Sequence, residues 1–370
     1  MKKVNVGVVG CGGIAYAYND GGKPFEILQF KSCTDLFDIK AKEVEEKYGW
    51  KSVSFDEIMN DPEIEIILNI TQPSGHFEVA KKALLAGKSV YNEKPICIER
   101  EEAQELLALA KEKNLRIGCA PDTFMGAGIQ TCIKAINDGW IGKPVGFNAF
   151  MMGHGVETWH ANPEFYYKKG GGPMFDMGPY YLTALVSLLG PVAEVTGLNT
   201  KGFQTRRVTS QPFAGKIIEV DVPTHVSGLL QFESGVIGNL TTSFDVWKHE
   251  CPIIEIYGTL GTLCVSNPNN AYGKLKIFTP QHDSDDKAWK ELPFTHPVFK
   301  QTRGMGLADM AYAIRSGRKH RANGEMAYHV LDIMHAIHDG AKEHKYIAIK
   351  STCEKPAPIR MDLPYGTFEE

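Results

Sequence analysis

None of the eight cysteines (Cys11, Cys33, Cys97, Cys119, Cys132, Cys251, Cys264 and Cys353) forms a C-x-x-C pair. Most sit inside apolar runs, which fits free buried thiols rather than a disulfide framework. No apolar run approaches the roughly 20 residues that a bilayer-spanning helix needs. A large excess of one charge is also lacking, since 40 Lys and Arg face 44 Asp and Glu for a net charge of -4. That balance gives no electrostatic footprint for nucleic acid or an anionic membrane, and neither partner is expected. The one basic run, Arg315 to Arg321, reads as a solvated helix end whose cations complement the helix dipole. A G-x-S-x-G elbow and a catalytic-cysteine signature are both missing. His335-x-x-His338, with Asp332 and Asp339 nearby, has no third ligand at a recognised spacing, so no metal is expected. Lys2 and Lys3 lead directly into Val4–Val9, a run too short for a signal-peptide core, and a cytoplasmic location is expected.

What is present is an ordinary globular composition, 43% apolar and 23% charged over 370 residues. That length exceeds what one core usually supports and predicts two domains, 1–122 and 123–370. The first reads as a Rossmann domain. Val4–Val9 is continuous and β-branched, as a strand buried on both faces should be. It runs into Gly10-Cys11-Gly12-Gly13-Ile14-Ala15, a G-x-G-x-x-A turn opening a helix. Glycine is needed there so that the backbone turns sharply and a pyrophosphate can approach the helix N-terminus. A second strand, about Phe30–Thr34, ends in Asp35, about twenty residues on, where a carboxylate would bind ribose hydroxyls. No arginine follows Asp35 to receive a 2′-phosphate, so NAD is favoured over NADP.

The alternation continues with a helix capped by Asp38 and ended by Gly49, a turn opened by Ser54, and the strand Ile64–Ile70. Ser74 is read as the cap of the next helix, and Lys88–Tyr91 then leads to Glu93-Lys94-Pro95. Lys94 therefore falls at the carboxyl end of a strand, where open α/β sheets bind ligands. Leu115–Ala120 is the last strand of a doubly wound, dinucleotide-binding half, and Pro121-Asp122-Thr123-Phe124 breaks the pattern. Beyond it, short strands joined by tight turns predict a C-terminal α+β domain built on a large, open, mainly antiparallel sheet. Two late helices, about Met305–Arg315 and Glu325–Glu343, are expected to cover one face of that sheet. The other face would be buried by a second subunit, predicting a homo-oligomer, a dimer, tetramer or larger assembly.

These features resemble the Gfo/Idh/MocA family of oxidoreductases. The resemblance rests on Gly10 to Ala15, Thr71-x-Pro73-x-x-His76, Glu93-Lys94-Pro95 and the stretch from Gly170 to Tyr180, and it covers essentially the whole chain. It implies NAD(P)-linked oxidation of sugars, inositols or their derivatives. It also implies that Lys94 and Asp176 face the substrate, while Thr71, Pro73, His76 and Glu93 lie along the cofactor with Gly10, Cys11, Gly12, Gly13, Ile14 and Asp35. The family pattern usually carries histidine two residues after the glycine of Asp-x-Gly, and this chain has Tyr180 there.

Oxidising a secondary alcohol requires a hydride acceptor, a base, and groups that fix the hydroxyl. Lys94, Asp176 and Tyr180 are the catalytic candidates, with Tyr180 carrying the proton or positioning its carrier because a nearby cation lowers a phenol's pKa. Asp176 also reads as a helix N-cap. Asp122, Phe124, His154, Trp159 and His160 are further candidate substrate contacts, the aromatic segment Trp159–Tyr167 suiting the apolar faces of a sugar ring. The leading reading is an NAD-dependent sugar, cyclitol or glycoside dehydrogenase, with C3 oxidation of a glycoside as its sharpest form. A glycoside-cleaving enzyme with retained NAD and an NAD-binding regulator are the alternatives.

Overall fold

The computed structural model describes residues 1–280 and 288–369. These form two compact units. The first comprises Met1–Gln130, Thr295–Tyr328 and the stretch from Pro356; the second comprises Thr131–Phe294 and His329–Lys355.

The first unit opens as β1 (Val4–Val9), α1 (Ala15–Gly22), β2 (Leu28–Thr34), α2 (Asp38–Tyr48), β3 (Lys51–Ser52) and α3 (Phe55–Asn60). It continues through β4 (Ile64–Asn69), α4 (His76–Leu85), β5 (Ser89–Asn92), α5 (Arg100–Glu112), β6 (Ile117–Cys119) and α6 (Ala127–Asn137), the last of which runs on into the second. The sheet order is β3-β2-β1-β4-β5-β6 and every pair is parallel. Crossover helices cover both faces of such a sheet, which explains why β1 and β4 are apolar nearly throughout. Register places Thr34, Val9, Asn69, Asn92 and Cys119 side by side. The residues that follow each of them therefore emerge together at one carboxyl edge.

Ser54 caps α3 in a full capping box with Glu57, and Gly49 closes α2 at φ +78°. The other expected caps are corrected. Phe37 precedes α2 and Gly75 precedes α4, neither with a side-chain cap, so Asp38 and Ser74 do not cap. The basic run is also corrected. Arg315 binds Glu65 at 2.5 Å, Arg318 and Arg321 share the buried Asp309 at 2.7 and 2.6 Å, and Arg321 reaches Glu369 at 2.7 Å. These cations clamp distant segments of the first unit and are not a solvated helix end. Burial pushes His320, within the same run, down to about 4, and its ring hydrogen-bonds the Ile117 carbonyl.

In the second unit follow β7 (Pro144–Met152), α7 (Gly172–Leu189), β8 (Val192–Thr200), β9 (Thr205–Arg207), β10 (Ile217–Glu219), β11 (His225–Phe232) and β12 (Ile237–Ser243). After them come β13 (Ile254–Gly258), β14 (Thr262–Val265), β15 (Lys276–Phe278) and β16 (Lys290–Glu291). The chain then makes α8 (Met305–Ser316), α9 (Gly324–Glu343) and β17 (Ile347–Ala348). Among the described residues, nine strands form one sheet, ordered β16-β15-β14-β13-β7-β12-β11-β8-β17, antiparallel except for the β7–β12 pair. One face is packed: Gly197 and Gly228 lack the Cβ that would collide with Ile337 of α9, and Phe147, Phe232 and Leu240 are buried. Leu198, Leu229 and Ile237 alternate out of the sheet and are each more than half exposed.

Only one of the two late helices covers this sheet. α8 belongs to the first unit, where Gly306 lies against the Tyr91 hydroxyl and Met310 lies against Gly118 of β6. Its apolar residues gave no sign of which sheet they would meet. Among the described residues, no helix is long and apolar enough to cross a membrane.

Candidate active site

The carboxyl edge of the parallel sheet holds a cleft of about 580 Å³. At its floor Gly10 adopts φ +102°, and a Cβ there would lie 2.8 Å from the backbone of Ile70. Both facts demand glycine. Gly12 and Gly13 differ, since a Cβ on either would meet nothing within 4 Å. They leave open space in front of α1, whose first turn has neither a side-chain cap nor an acidic residue. A helix start with no acidic side chain, beside open space, suits an anionic pyrophosphate.

Across the cleft, Asp35 is held in place by its surroundings. Its Oδ2 accepts the Cys11 amide at 2.7 Å and its Oδ1 accepts the Phe37 amide at 3.0 Å. An ionised carboxylate has further acceptor capacity, enough for ribose hydroxyls. Thr71 and Ser74 line the same cleft, as does Lys40. Together these residues fit an NAD molecule: an open glycine turn, a helix start free of acidic side chains, and a pre-oriented carboxylate. The Cys11 thiol, buried beside Cys33, has its pKa pushed up and is no nucleophile.

The Thr71 turn and the Glu93-Lys94-Pro95 segment are fastened to each other by residues that the sequence reading did not single out. Asn69 donates to Asn92 at 3.0 Å and to the His76 carbonyl at 3.1 Å, while its oxygen accepts the Thr71 hydroxyl at 2.8 Å. Asn92 donates to the Ile96 carbonyl at 3.0 Å. His76 is fully buried, with Nδ1 2.6 Å from the Pro95 carbonyl and Nε2 3.1 Å from the Thr71 carbonyl. Burial pushes its pKa down despite those two carbonyls. In this arrangement His76 braces the two segments from beneath, and Pro73 opens the short turn between them.

Glu93 precedes Lys94 and is buried. One oxygen accepts the Tyr18 hydroxyl at 2.9 Å and lies 3.6 Å from Arg303; the other accepts the Lys94 amide at 3.0 Å. Asp122 is fully buried and takes the amides of Gly304 and Gly306 at 2.9 and 3.0 Å, anchoring the start of α8. Burial pushes Asp122 up to about 6, against the pull of Arg303 and those amides. Phe124 is likewise buried. Tyr18, Asn69, Asn92 and Arg303 carried no recognisable signal, because their partners are distant in sequence and a polar side chain looks the same there whether it faces water or such a partner.

In the second unit Asp176 and Tyr180 lie one turn apart on α7, so both project from the same side of that helix. The helix starts at Gly172, and its N-cap is Gly171, which corrects the reading of Asp176 as the cap. The loop after β7 carries the remaining candidates. His154 stacks on Trp247 at 3.2 Å, Trp159 is exposed, and the His160 ring accepts the Asn162 amide at 3.1 Å. Tyr167 is buried and donates to Glu157. His335 and His338 both pack against Phe175.

Comparison with known proteins agrees with this architecture. Residues 4–120 match the family model described as an oxidoreductase family with an NAD-binding Rossmann fold, and residues 129–264 match the GFO/IDH/MocA C-terminal domain. A D-xylose dehydrogenase of Paenarthrobacter nicotinovorans is 26% identical over 310 residues, 77% of each chain. A scyllo-inositol 2-dehydrogenase (NAD(+)) of Bacillus subtilis (strain 168) is 24% identical over 282 residues, 75% of this chain and 76% of that one. Among solved structures, a levoglucosan dehydrogenase in complex with NADH and L-sorbose superposes with a TM-score of 0.82 at 21% identity, covering 94% of this chain and 99% of the other.

Proposed function

The chain belongs to the Gfo/Idh/MocA family of NAD-binding oxidoreductases, and from that premise we propose that it oxidises a ring hydroxyl of a glycoside at C3, giving a 3-keto product. The observation that carries this reading is the position of Lys94. It follows β5 at the carboxyl edge of the sheet, in the same row as the glycine turn, and is held there by Asn92, His76 and Glu93. NAD, when bound, supplies the hydride acceptor.

The roles of the chain's own residues follow from their chemistry. Lys94 binds the reacting hydroxyl through its ammonium and lowers that hydroxyl's pKa. Tyr180 takes the proton, and Asp176, one turn away, orients the sugar or the phenol. His154, Trp159 and His160 offer ring faces and polar edges to the remainder of the substrate. Glycosides are favoured over small polyols because the second unit presents more exposed aromatic surface than a single small ring requires.

The test is incubation of the chain and NAD with monosaccharides, inositols and glycosides, followed by NADH absorbance and NMR of the products. Stoichiometric NADH with a ketone at C3 of a glycoside is the expected result. Sugar cleavage without net NADH would favour a glycoside-cleaving enzyme that retains its NAD, and tight NAD binding with no turnover would favour a regulator. The half-exposed Leu198, Leu229 and Ile237 face also supports assembly into a homo-oligomer through this sheet. Sedimentation showing only monomer at micromolar concentration would refute that.

A further inference from the structure

Trp247 is the most solvent-exposed tryptophan among the described residues, with 79% of its surface accessible, yet its ring is not loosely placed. It stacks face to face on His154, with centroids 3.2 Å apart and planes within 16°. Phe203 meets the same imidazole edge-on at 5.7 Å. Behind them lies Arg206, almost fully buried, its guanidinium 4.4 Å from the Phe203 ring. Arg206 is gripped by Glu157 at 3.0 Å, by Asp245 and by the Phe244 carbonyl at 2.7 Å. Asp245 in turn accepts the Thr224 hydroxyl at 2.6 Å and the Gly202 amide at 3.1 Å, which fixes the base of the loop carrying Trp247.

Desolvating a cation and two carboxylates is costly unless they are paired, and here the pairing holds an aromatic surface rigid while leaving it in water. A rigid, exposed indole face matches the apolar C–H face of a pyranose ring, and the adjoining Lys248, His249 and Glu250 supply polar groups for ring hydroxyls. The position within the second unit agrees. The loops after β7 and β12 are joined by the Gly153 amide to the Ser243 carbonyl at 3.0 Å and the Val246 amide to the Gly153 carbonyl at 3.1 Å. The start of α7, which carries Asp176, lies against Pro223 beside the same strand ends, since the Phe244 amide binds the Thr224 carbonyl.

We propose that Trp247, stacked on His154 and braced by Arg206, is a binding platform for a second pyranose ring, making the preferred substrate a disaccharide or larger glycoside. This rests on the sugar chemistry of the proposed function. It adds a specificity-determining site that acts on affinity for the extended substrate.

Tryptophan fluorescence titration of the full chain with cellobiose, maltose and lactose, against the methyl glucosides and galactosides, tests it in the wild type, Trp247→Ala and Trp247→Phe. The wild type should bind at least one disaccharide more tightly than its methyl monosaccharide; Trp247→Ala should lose about tenfold in that affinity and Trp247→Phe should keep most of it. No disaccharide preference in the wild type, or a preference that survives in Trp247→Ala, would overturn the proposal. So would a change in assembly mass for Trp247→Ala, which would make the indole a subunit contact. If Trp247-dependent binding appears but no sugar is turned over, the proposed activity fails and the platform stands; turnover without such binding sinks the platform alone.

Discussion

Tyr18 donates its hydroxyl to Glu93 at 2.9 Å, joining the helix that follows the glycine turn to the residue before Lys94. Both are buried, and burial together with the Glu93 charge pushes the Tyr18 phenol well up, so it remains a donor. Tyr18→Phe leaves that Glu93 oxygen with only the more distant Arg303. The loss should be about 2 kcal/mol in denaturant unfolding, the size of a hydrogen bond to a charged group. Catalysis should fall further than NAD binding, because Lys94 is the neighbour released. Equal stability in the variant and wild type would remove Glu93 from the support of Lys94.

Gly10 and Gly12 should respond differently to the same substitution. Gly10→Ala forces a Cβ to 2.8 Å from the Ile70 backbone at φ +102°, so the melting temperature should drop by several degrees. Gly12→Ala meets nothing within 4 Å and should melt like the wild type. It should nonetheless bind NAD at least about tenfold more weakly in calorimetry, because its methyl group would occupy the space in front of α1. A Gly12→Ala variant with unaltered NAD affinity would move the pyrophosphate elsewhere.

The pH dependence of stability should reveal two opposed groups. Burial raises Asp122 from the ordinary 3.8 to about 6, so the folded chain holds this proton more tightly than the unfolded one. Its contribution is present at low pH and is lost, by about 3 kcal/mol, as pH rises from about 4 to 6. His320, lowered from 6.5 to about 4, has the opposite sign, its stability being lost as pH falls from about 6.5 to 4. Asp122→Asn keeps an oxygen for the Gly304 and Gly306 amides and removes the first effect. Thermal melts of this variant should climb with pH between 4 and 6.5 more steeply than those of the wild type. Parallel curves would show that Asp122 does not titrate in this range.

Much of this site was legible in the sequence because its signals are local. The glycine turn, Asp35 at the next strand end, and Lys94 before Pro95 each sit within a few residues of the strand that positions them. The opposite holds for Arg315, Arg318 and Arg321, whose charges read as solvated until their partners Glu65, Asp309 and Glu369 were in place. α8 has an apolar face but no local mark of the sheet it covers, and its home in the first unit depends on Asp122 reaching Gly304 and Gly306. Asp176 resembled a cap because glycines precede it; the helix instead begins at Gly172, four residues earlier. Trp247 drew no notice, since nothing adjacent to it announces the buried Arg206 behind its support.

Tyr180→Phe addresses who moves the proton. Loss of the phenol should lower kcat/KM by about 100-fold and flatten the acidic limb of the pH–rate profile, where a proton acceptor must deprotonate to work, while the buried ring keeps α7 packed. Unchanged turnover and an unchanged profile would leave Lys94 as the proton acceptor and Tyr180 as packing.

The most direct measurement is NADH formation from the sugar and glycoside panel by the wild type and Lys94→Ala, with NAD affinity measured for both. Steady NADH production by the wild type, and at least about 100-fold less by Lys94→Ala at undiminished NAD affinity, is the expected result. Turnover that survives the loss of Lys94 would contradict the account.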